Sequence, residues 1–371
     1  MKKKKILFAA NLESFFTKFL IPQLKYFKEQ DYEIHLAAKL EGIDVPYCDK
    51  KFDVDFARGL KIGQNVRSLK QMEKIFRENH YDIVSCHTPF GGAITRLAAK
   101  NVGVKDTKIV YMAHGFHFYK GAPLINWLLY YPTEKYLSKF TDTLVTINYE
   151  DYNIASKKFN SNVKHVNGVG LDITKFNFAM SKKEKHDFRK KLGLKDDDFV
   201  MIYAAELLPR KRQDWLIKTL KPLLDSNKNF KLLLAGSDSV NGKYERLTQK
   251  LGISKQVKFL GFRKDIPQLL KISNLAISSS RQEGLPVNVM EAMYTGLPVV
   301  VTDCRGNRDL IEDGANGYIV GVNDSQEFRN KIMYYYSLSE SGYKKIVELD
   351  REKIQKYLLE NITDDIFEIY Q

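Results

Sequence analysis

Short apolar runs recur along the chain, and each is followed by a polar or glycine turn and then by a stretch of helical periodicity. The segments FFTKFLIPQLKYFKEQ and SLKQMEKIFREN carry apolar residues at the spacing of amphipathic helices. Strands that alternate with such helices are typical of a parallel, doubly wound α/β sheet. In the first half the predicted strands are KKILFAAN, DYEIHLAAK, YDIVSCHTP, TKIVYMAHG and DTLVTIN.

The alternation restarts after a connection that is rich in glycine, asparagine and charge, HVNGVGLDITKFNFAMSKKEKHD. We therefore predict two Rossmann-like domains, residues 1–173 and 174–357, that face each other across a cleft. Gly168 and Gly170 suit a hinge between them. The apolar stripe of residues 358–371 predicts a helix that caps its own domain or packs back on the first. The strands predicted for the second domain are DDFVMIYAAE, FKLLLAGSD, QVKFLGF, NLAISSS, LPVVVTD and GYIVG.

Composition narrows the class of protein. A chain of 371 residues is too long for most single cores, which agrees with two domains. Its 44% hydrophobic and 28% charged residues are ordinary for a globular protein and argue against dominant disorder. The formal charge of +14 raises the affinity for phosphate-rich partners. Because no recognised nucleic-acid-binding module is present, we expect no nucleic-acid partner.

Targeting and covalent features favour the cytoplasm. Cys48, Cys86 and Cys304 are far apart and lack metal-ligand spacing, so neither a disulfide framework nor a zinc site is expected. The run KKKK is followed only by ILFAA, which is too short for the apolar region of a signal peptide. No apolar run reaches the ~18 residues of a spanning helix. The sequence thus predicts a protein that is soluble or lies on a membrane surface.

Two carboxylates, Glu283 and Glu291, lie on either side of a Gly-Leu-Pro turn in RQEGLPVNVMEAM. If LAISSS is a strand and a helix begins near Pro286, free amides and the helix dipole form an anion site at the carboxyl edge of the sheet. Carboxylates accept paired hydrogen bonds from vicinal hydroxyls, which ribose and hexose both carry. The corner therefore predicts a site for a nucleotide sugar, with its diphosphate at the amides and one acid near each sugar.

This stretch, EGLPVNVME, with GLPVVVTDCRGNRDLIEDGANGYIV behind it, closely resembles the retaining glycosyltransferases of family four, which have the GT-B fold. The resemblance extends over nearly the whole chain. The segments HTPFGGAITRLAAK and VNGVGLDITKF are similar to the subgroup that assembles bacterial capsule and exopolysaccharide. The family resemblance implies a metal-independent hexosyltransferase that needs no cofactor. Its donor would be a nucleotide sugar, UDP-linked by analogy with GDP still open, and its acceptor a saccharide on a polyprenyl diphosphate lipid.

The resemblance also implies roles for individual residues. Glu283 would contact hydroxyls of the transferred sugar, Lys211 would neutralise the departing diphosphate, and His114 would lie beside the donor sugar. These three are the predicted catalytic residues. The predicted donor-binding residues are Glu291 at the ribose, Gly284, Leu285, Pro286, Val287 and Asn288 near the phosphates, Phe262 and Arg263 at the base, and Arg210 and Arg212 in the basic turn.

The chain departs from the family pattern in two places. Glu206 stands where many members carry an arginine, and either Arg210 or Arg212 could substitute for it. The paired-glycine loop that many members have after the first strand is replaced by ANLESFFTKF, while Gly91 and Gly92 follow a later strand. How the first domain meets the acceptor is therefore left open.

Four further residues are assigned structural roles. His87 and His117 lack clear family matches, and we expect both to be structural or merely near the cleft. Asp53 and Asp55 have the spacing of a metal-binding D-x-D motif, but acids on one face of a strand explain them as well, and no metal site is expected.

Two segments mix aromatic, aliphatic and lysine residues in the manner of interfacial helices, FFTKFLIPQLKYFKEQ and PLINWLLYYPTEKYLSKF. Packing against the sheet would give a similar pattern, but family resemblance favours peripheral attachment to the anionic inner face of the bacterial plasma membrane. Two other functions remain open at this stage, a nucleotide-sugar epimerase of related architecture and a non-catalytic sugar- or lipid-binding scaffold. The first would convert donor without acceptor, and the second would release no nucleotide.

Overall fold

The computed structural model describes residues 3–57 and 59–371 and divides into two compact units. The N-terminal unit is formed by Met1–Val169 together with Ile362–Gln371, and the C-terminal unit by Gly170–Asn361. At the divide Gly170 has φ of +84°, and a Cβ atom there would lie 2.8 Å from the Leu359 Cα atom. Only glycine satisfies both conditions.

The N-terminal unit contains a seven-stranded sheet in the order β3-β2-β1-β4-β5-β6-β7, with every neighbouring pair parallel. Successive strands run outward from β1 in one direction and from β4 in the other, so the topological switch point lies between β1 and β4. The strands are β1 Lys5–Leu12, β2 Glu33–Lys39, β3 Lys50–Asp53, β4 Ile83–His87, β5 Lys108–Ala113, β6 Thr143–Thr146 and β7 Asn162–His165.

Helices connect these strands, and the final helix of the chain enters this unit from the other. Helix α4 shows how sequence sets the bounds, because a proline lies in its first turn and Gly103, with φ of +69°, ends it. The helices are α1 Ser14–Phe19, α2 Ile21–Glu29, α3 Ile62–Glu78, α4 Pro89–Val102, α5 Leu124–Leu137 and α6 Tyr149–Lys158.

The C-terminal unit repeats the plan with six parallel strands in the order β10-β9-β8-β11-β12-β13. Here the switch point lies between β8 and β11. The strands are β8 Phe199–Ala204, β9 Phe230–Ala235, β10 Val257–Gly261, β11 Leu275–Ser278, β12 Val299–Thr302 and β13 Tyr318–Val320. The helices are α7 Lys182–Lys191, α8 Gln213–Ser226, α9 Lys243–Lys250, α10 Ile266–Ile272, α11 Val287–Tyr294, α12 Asn307–Leu310, α13 Ser325–Tyr336, α14 Glu340–Ile354 and α15 Leu359–Glu368, the last of which passes into the N-terminal unit.

Both sheets are covered by helices on their two faces, which explains the continuous apolar runs in the sequence. Strands β4 and β12 are buried along their whole length, as expected when neither face of a parallel strand meets water. The two parallel α/β sheets confirm the predicted fold class.

The structure differs from the sequence prediction in three elements. The single helix predicted over FFTKFLIPQLKYFKEQ is broken at Leu20, because Pro22 in the first turn of α2 has no amide to continue α1. Strand β7 was not predicted; it is a short, largely polar edge strand paired only with β6. Strand β3 ends at Asp53, so Asp55 lies beyond it and pairs with Arg67 at 3.3 Å.

Two absences hold for the described ranges, 3–57 and 59–371. No three His, Cys, Asp or Glu side chains there come together in a way that could hold a metal ion. No helix in those ranges is both long and apolar enough to cross a membrane.

Candidate functional site

The candidate site lies at the carboxyl edge of the C-terminal sheet, where β11 passes through a tight loop into α11. Pro286 precedes the first helical residue, Val287, in an extended conformation. The sequence placed this corner correctly because the buried strand, the Gly-Leu-Pro turn and the helical run are all local signals. Strand β11 is next to the switch point, where open α/β sheets bind their ligands.

Glu283 lies in this loop and is surrounded by partners that stabilise its charge. The Nζ atom of Lys211 donates to Glu283 Oε1 at 2.5 Å, and Arg210 Nη1 lies 3.4 Å from Oε2. The Ser280 hydroxyl donates to the same Oε1 atom. Glu283 is 7% exposed and Lys211 is 8% exposed, so this is a buried ion pair with a more exposed arginine beside it.

Burial alone would raise the pKa of Glu283. The charges of Lys211 and Arg210, with hydrogen bonds from Lys211 and Ser280, outweigh that effect and leave the pKa below its ordinary value. Glu283 is therefore ionised at neutral pH, and fixed hydrogen-bond donors hold its carboxylate in place.

A buried polar network holds the loop against the turn that carries the cations. Tyr203 lies 2.7 Å from the Ser280 hydroxyl, and the Ser279 hydroxyl donates to the Lys211 carbonyl at 2.8 Å. The Arg281 amide donates to the Arg210 carbonyl at 2.9 Å. Because these groups are satisfied by one another, the carboxylate and the two cations are held in one arrangement.

The loop is also supported by the segment between β12 and α12. Arg305, which is 2% exposed, donates through Nε to the Glu283 carbonyl at 3.0 Å. Gly306 has φ of +79°, and a Cβ atom there would lie 2.4 Å from the Gly284 carbonyl oxygen. Only glycine allows the two backbones to approach so closely.

Backbone amides without a described partner cluster at the start of α11. In the described parts of the chain, the amides of Gly284, Leu285, Val287 and Asn288 make no loop or cap hydrogen bond, and the first-turn amides of a helix have no partner within it. With the partial positive charge at the helix end, they form a group of donors suited to an anion. The helix has eight residues, so this group is an adjunct to the Glu283 cluster rather than a site by itself.

Glu291 lies within α11 and is 8% exposed, nearly the same as Glu283. The only described partner of its carboxylate is Lys175, at 3.2 Å, whose side chain is 54% exposed. Burial raises the pKa of Glu291, and the Lys175 charge and hydrogen bond only partly oppose that effect.

The structure separates the two arginines that could replace the missing family arginine. Arg210 lies against Glu283, whereas Arg212 is 6% exposed and bonds to the Val322 carbonyl and, at 2.9 Å, to Asn323 Oδ1. Arg212 also takes a left-handed conformation, with φ of +55°, at the start of α8. Glu206, which occupies the family arginine's position, is exposed and accepts from the Ser239 hydroxyl at 2.5 Å.

The residues predicted to read the base lie on the loop after β10. Phe262 is 72% exposed and so is free to stack on a ligand. Arg263 is held by Asp265, with 2.7 Å between Nε and Oδ1, which fixes the guanidinium plane.

His114 lies in the N-terminal unit, directly after β5, and so belongs to a different unit from the residues above. Its Nε2 atom is 3.2 Å from His87 Nδ1, and the Phe15 ring packs edge-on at 5.0 Å. Burial lowers the pKa of His114 to about 4, so it is neutral at physiological pH. His87 is fully buried. The His117 ring stacks on Tyr130, with centroids 4.5 Å apart.

Sequence reasoning missed several residues of the site. Polar residues in apolar surroundings could have revealed some of them, because the serine run ends a buried strand and an arginine follows a buried cysteine. No local signal indicates that Tyr203 would bond to Ser280 or that Lys175 would reach Glu291. The residues missed are Lys175, Tyr203, Ser279, Ser280, Arg305 and Gly306.

Two parallel, helix-covered sheets, with a ligand loop at the carboxyl edge of the second, are the architecture of the GT-B glycosyltransferases. The profile of the group 1 glycosyl transferases matches residues 184–353. The profile of glycosyl transferase 4-like domains matches residues 5–148.

Individual proteins agree with these matches. EpsD of Bacillus subtilis (strain 168), which is named as a glycosyltransferase, is 40% identical to this chain over 335 residues. The match covers 90% of this chain and 87% of EpsD. The Escherichia coli UDP-Gal:alpha-D-GlcNAc-diphosphoundecaprenol alpha-1,3-galactosyltransferase is 26% identical, covering 84% and 82%. The crystal structure of Anabaena Alr3699/HepE with UDP and glucose covers 99% of both chains with a TM-score of 0.78 at 20% identity.

The chain belongs to the family-four, group 1 glycosyltransferases, of the bacterial exopolysaccharide type. The predicted family and fold class are confirmed. The roles predicted for individual site residues, and for the two domains, remain predictions.

Proposed function

We propose that this protein transfers a hexosyl group, with retention of anomeric configuration, from a UDP-sugar to a saccharide carried on a polyprenyl diphosphate lipid. The step would belong to the biosynthesis of a bacterial surface polysaccharide. The names of two similar proteins support these choices: the E. coli relative uses UDP-Gal and a diphosphoundecaprenol-linked acceptor, and Anabaena Alr3699/HepE binds UDP-glucose.

The observation that carries the proposal is the buried Glu283–Lys211 pair beside the unbonded amides of α11. A nucleotide sugar presents hydroxyls at one end and a diphosphate at its centre. The ionised carboxylate accepts from the sugar hydroxyls, while Lys211, Arg210 and the amides hold the diphosphate. Glu291 lies deeper along α11, where it accepts from the ribose hydroxyls, and Phe262 stacks on the base.

The cations and amides also stabilise the transition state. As the bond between sugar and diphosphate breaks, negative charge grows on the leaving phosphate, and fixed donors lower the energy of that charge without reorganisation. The acceptor hydroxyl attacks the oxocarbenium-like sugar from the face that the leaving group vacates. The leaving phosphate takes the hydroxyl proton, so no separate base is needed. Neutral His114 donates a hydrogen bond to the transferred sugar.

The charge of the diphosphate is met in this scheme by side chains rather than by a divalent cation. Lys211 and Arg210 supply two positive charges, and Arg305 supports the loop through a hydrogen bond to the Glu283 carbonyl. We therefore expect transfer in the presence of EDTA at a rate close to that without it. A loss of activity that Mg²⁺ or Mn²⁺ restores would contradict this part of the proposal.

The acceptor is assigned to the N-terminal unit. At its switch point a cavity of about 240 Å³ is lined by Asn11, Phe15, Lys18, Phe19 and Thr88. An aromatic wall with a few polar groups suits the apolar face and the hydroxyls of a sugar. The segment ANLESFFTKF thus supplies side chains where many family members have a glycine loop.

Membrane attachment is assigned to α5. Leu124, Ile125 and Leu128 are 81%, 56% and 70% exposed, and Lys120 and Lys135 near them are exposed as well. The other segment with this composition is different, because no large apolar side chain of α1 or α2 is exposed. An apolar helix face flanked by lysines fits an anionic bilayer, here the inner face of the bacterial plasma membrane.

The experiment that tests the function combines purified protein, a panel of UDP- and GDP-sugars and a polyprenyl diphosphate saccharide. We expect one UDP-sugar to give a lengthened lipid-linked product whose new linkage has, by NMR, the anomeric configuration of the donor. An inverted linkage would overturn the retaining mechanism. Epimerised donor without acceptor, or no nucleotide release with any pair, would overturn the transfer itself.

Attachment is tested separately with vesicles that contain about 30% anionic lipid, an amount chosen to give a substantial surface potential. The double variant Leu124→Ser, Leu128→Ser should sediment with these vesicles much less than the wild type. A variant of two α2 residues, Lys25→Ser with Tyr26→Phe, is the matched control and should bind normally. Equal binding of all three proteins would contradict the assignment.

A further inference from the structure

A chain of polar side chains runs through the core of the N-terminal unit from the last helix to His114. The Tyr370 hydroxyl lies 2.8 Å from Ser85 Oγ, which is 3.1 Å from His87 Nε2. His87 Nδ1 in turn lies 3.2 Å from His114 Nε2. Strand β4 supplies Ser85 and His87, and the segment after α15 supplies Tyr370.

The chain is enclosed by apolar and aromatic groups. Ser85 and His87 are fully buried and Tyr370 is 5% exposed. The Phe8 ring stacks on His87, with centroids 6.3 Å apart, and the Phe15 ring lies 5.6 Å away. Water cannot supply missing hydrogen bonds in such surroundings, so the buried groups must satisfy one another.

That requirement fixes the direction of every hydrogen bond. In one direction Tyr370 donates to Ser85, Ser85 donates to His87 Nε2, and His87 Nδ1–H donates to His114. Suppose instead that His87 donates to Ser85. The Ser85 and Tyr370 hydroxyls still carry one proton each, but the single hydrogen bond between them can use only one of those protons. In the described residues neither hydroxyl has another partner, so one buried proton would then lack an acceptor.

The consequence falls on His114. Because its Nε2 atom accepts from His87, the proton of its neutral ring is on Nδ1. No described residue bonds to that nitrogen, and it is not one of the fully buried unpaired atoms, so it can donate to a ligand. Protonation of Nε2 would set its N–H against the Nδ1–H of His87. Burial independently lowers the pKa of His114 to about 4, so the ring is neutral.

We propose that Ser85 and His87 are positioning residues that hold His114 as a neutral Nδ1–H donor, and that Tyr370 supports this arrangement by donating to the Ser85 oxygen. The last segment of the chain thereby reaches the candidate catalytic histidine through two side chains. Its place is secured nearby, where Phe367 stacks on Tyr26 with centroids 3.6 Å apart. The use of that donor in transfer rests on the proposed function, whereas the tautomer itself does not.

The tautomer is read by NMR of protein that carries ¹⁵N-labelled histidine, without substrate. In the wild type we expect His114 to be the Nδ1–H form and His87 to be unprotonated at Nε2. Ser85→Ala removes the donor that imposes this pattern, so both rings should shift toward a mixture of tautomers. Tyr370→Phe should keep the wild-type tautomers, because Ser85 can still donate only to His87. An Nε2–H form of His114 in the wild type, or unchanged tautomers in Ser85→Ala, would overturn the proposal.

Kinetics then test whether the held donor is used. Ser85→Ala should lower kcat about 10-fold with little change in the donor KM, the size of effect of one lost hydrogen bond in the transition state. Tyr370→Phe should lower kcat only a few-fold. Tyr81→Phe is the matched control, because the Tyr81 hydroxyl bonds to His35 at 2.9 Å in the same unit but has no described hydrogen bond to Tyr370, Ser85 or His87. The kcat of this variant should be normal.

The possible failures are distinguishable. A wild-type protein without turnover would remove the proposed function and leave the tautomer result intact. Altered tautomers in Ser85→Ala with unchanged kcat would show that the Nδ1–H of His114 is not used, and would overturn the positioning role. Thermal unfolding of each variant verifies that the fold is retained.

Discussion

Glu283 and Glu291 are almost equally buried, yet their pKa values are shifted in opposite directions. Glu283 is met by a buried lysine, an arginine and a serine hydroxyl. Glu291 is met by one lysine that is more than half exposed. Burial penalises both charges by a similar mechanism, so the difference lies in the partners. Glu283 is stabilised in its ionised form in the free protein. Ionised Glu291 keeps an uncompensated cost of burial, which hydrogen bonds from a ligand could reduce.

This difference suggests how donor-binding energy is distributed. The Glu283 cluster is preorganised, so the hydrogen bonds that we propose it makes to a sugar would require little rearrangement. Glu291 is only loosely satisfied in the free protein, and hydroxyl donors of a ribose would stabilise its ionised form. We therefore expect the first acid to control the rate and the second to control affinity.

The largest effect should be on transfer. Glu283→Gln removes the charge while keeping the shape, and we expect kcat to fall about 10²- to 10³-fold, as for loss of one preorganised electrostatic group. Glu291→Gln should instead raise the donor KM about 10-fold with a small change in kcat. Steady-state assays of nucleotide release measure both. Equal kcat losses in the two variants would show that the contrast in pKa has no counterpart in catalysis.

The next effect is on stability. Glu283→Gln leaves Lys211 buried without its counter-charge, so the free energy of unfolding should fall by about 3 kcal/mol. Glu291→Gln removes a poorly compensated charge and leaves a solvated lysine, so the free energy should change by less than about 1 kcal/mol, in the stabilising direction. Urea unfolding at neutral pH compares them. A larger loss for Glu291→Gln would reverse the comparison.

The pH dependence of those differences follows from the two pKa directions. The pKa of Glu283 lies below 4.5, so its stabilisation is present above that pH and is lost as the pH falls through the folded-state value. The pKa of Glu291 lies above 4.5, so its contribution is present below that pH and is lost as the pH rises through the folded-state value.

Unfolding measured between about pH 4 and pH 8 should therefore give diverging curves, over a range that spans the ordinary carboxyl pKa. Relative to the wild type, Glu283→Gln should become less stable as the pH rises, while Glu291→Gln should become more stable. Parallel curves would mean that both acids titrate normally in the folded protein.

Much of the fold could be predicted from the sequence because its signals are local. Buried parallel strands are continuous apolar runs, and the break at the β11–α11 corner is marked by glycine and proline. Edge strand β7 lacks both signals, since its four residues include one aliphatic side chain. The proline in α2 was visible, but its effect on helix continuity was not recognised.

The candidate site was harder to predict where partners are distant in the chain. Motif resemblance indicated Glu283, Lys211 and His114, but a pairing such as Lys211 with Glu283 depends on how strands β8 and β11 adjoin. Tyr370 and Ser85, which form a buried hydrogen bond, are 285 positions apart in the sequence, so no local pattern could reveal their contact. Sequence alone also could not choose between Arg210 and Arg212, because both lie in one basic turn.

The smallest predicted effect addresses those two arginines. Arg210→Gln removes a half-exposed positive charge beside Glu283, so the donor KM should rise about 5-fold, as for one charge near a partly solvated phosphate, with unfolding almost unchanged. Arg212→Gln should do the opposite. It breaks bonds to Val322 and Asn323, so unfolding should become easier by about 1–2 kcal/mol while KM is nearly normal. A raised KM in Arg212→Gln alone would assign the phosphate contact to Arg212, and Arg210 would then serve only as a counter-charge to Glu283.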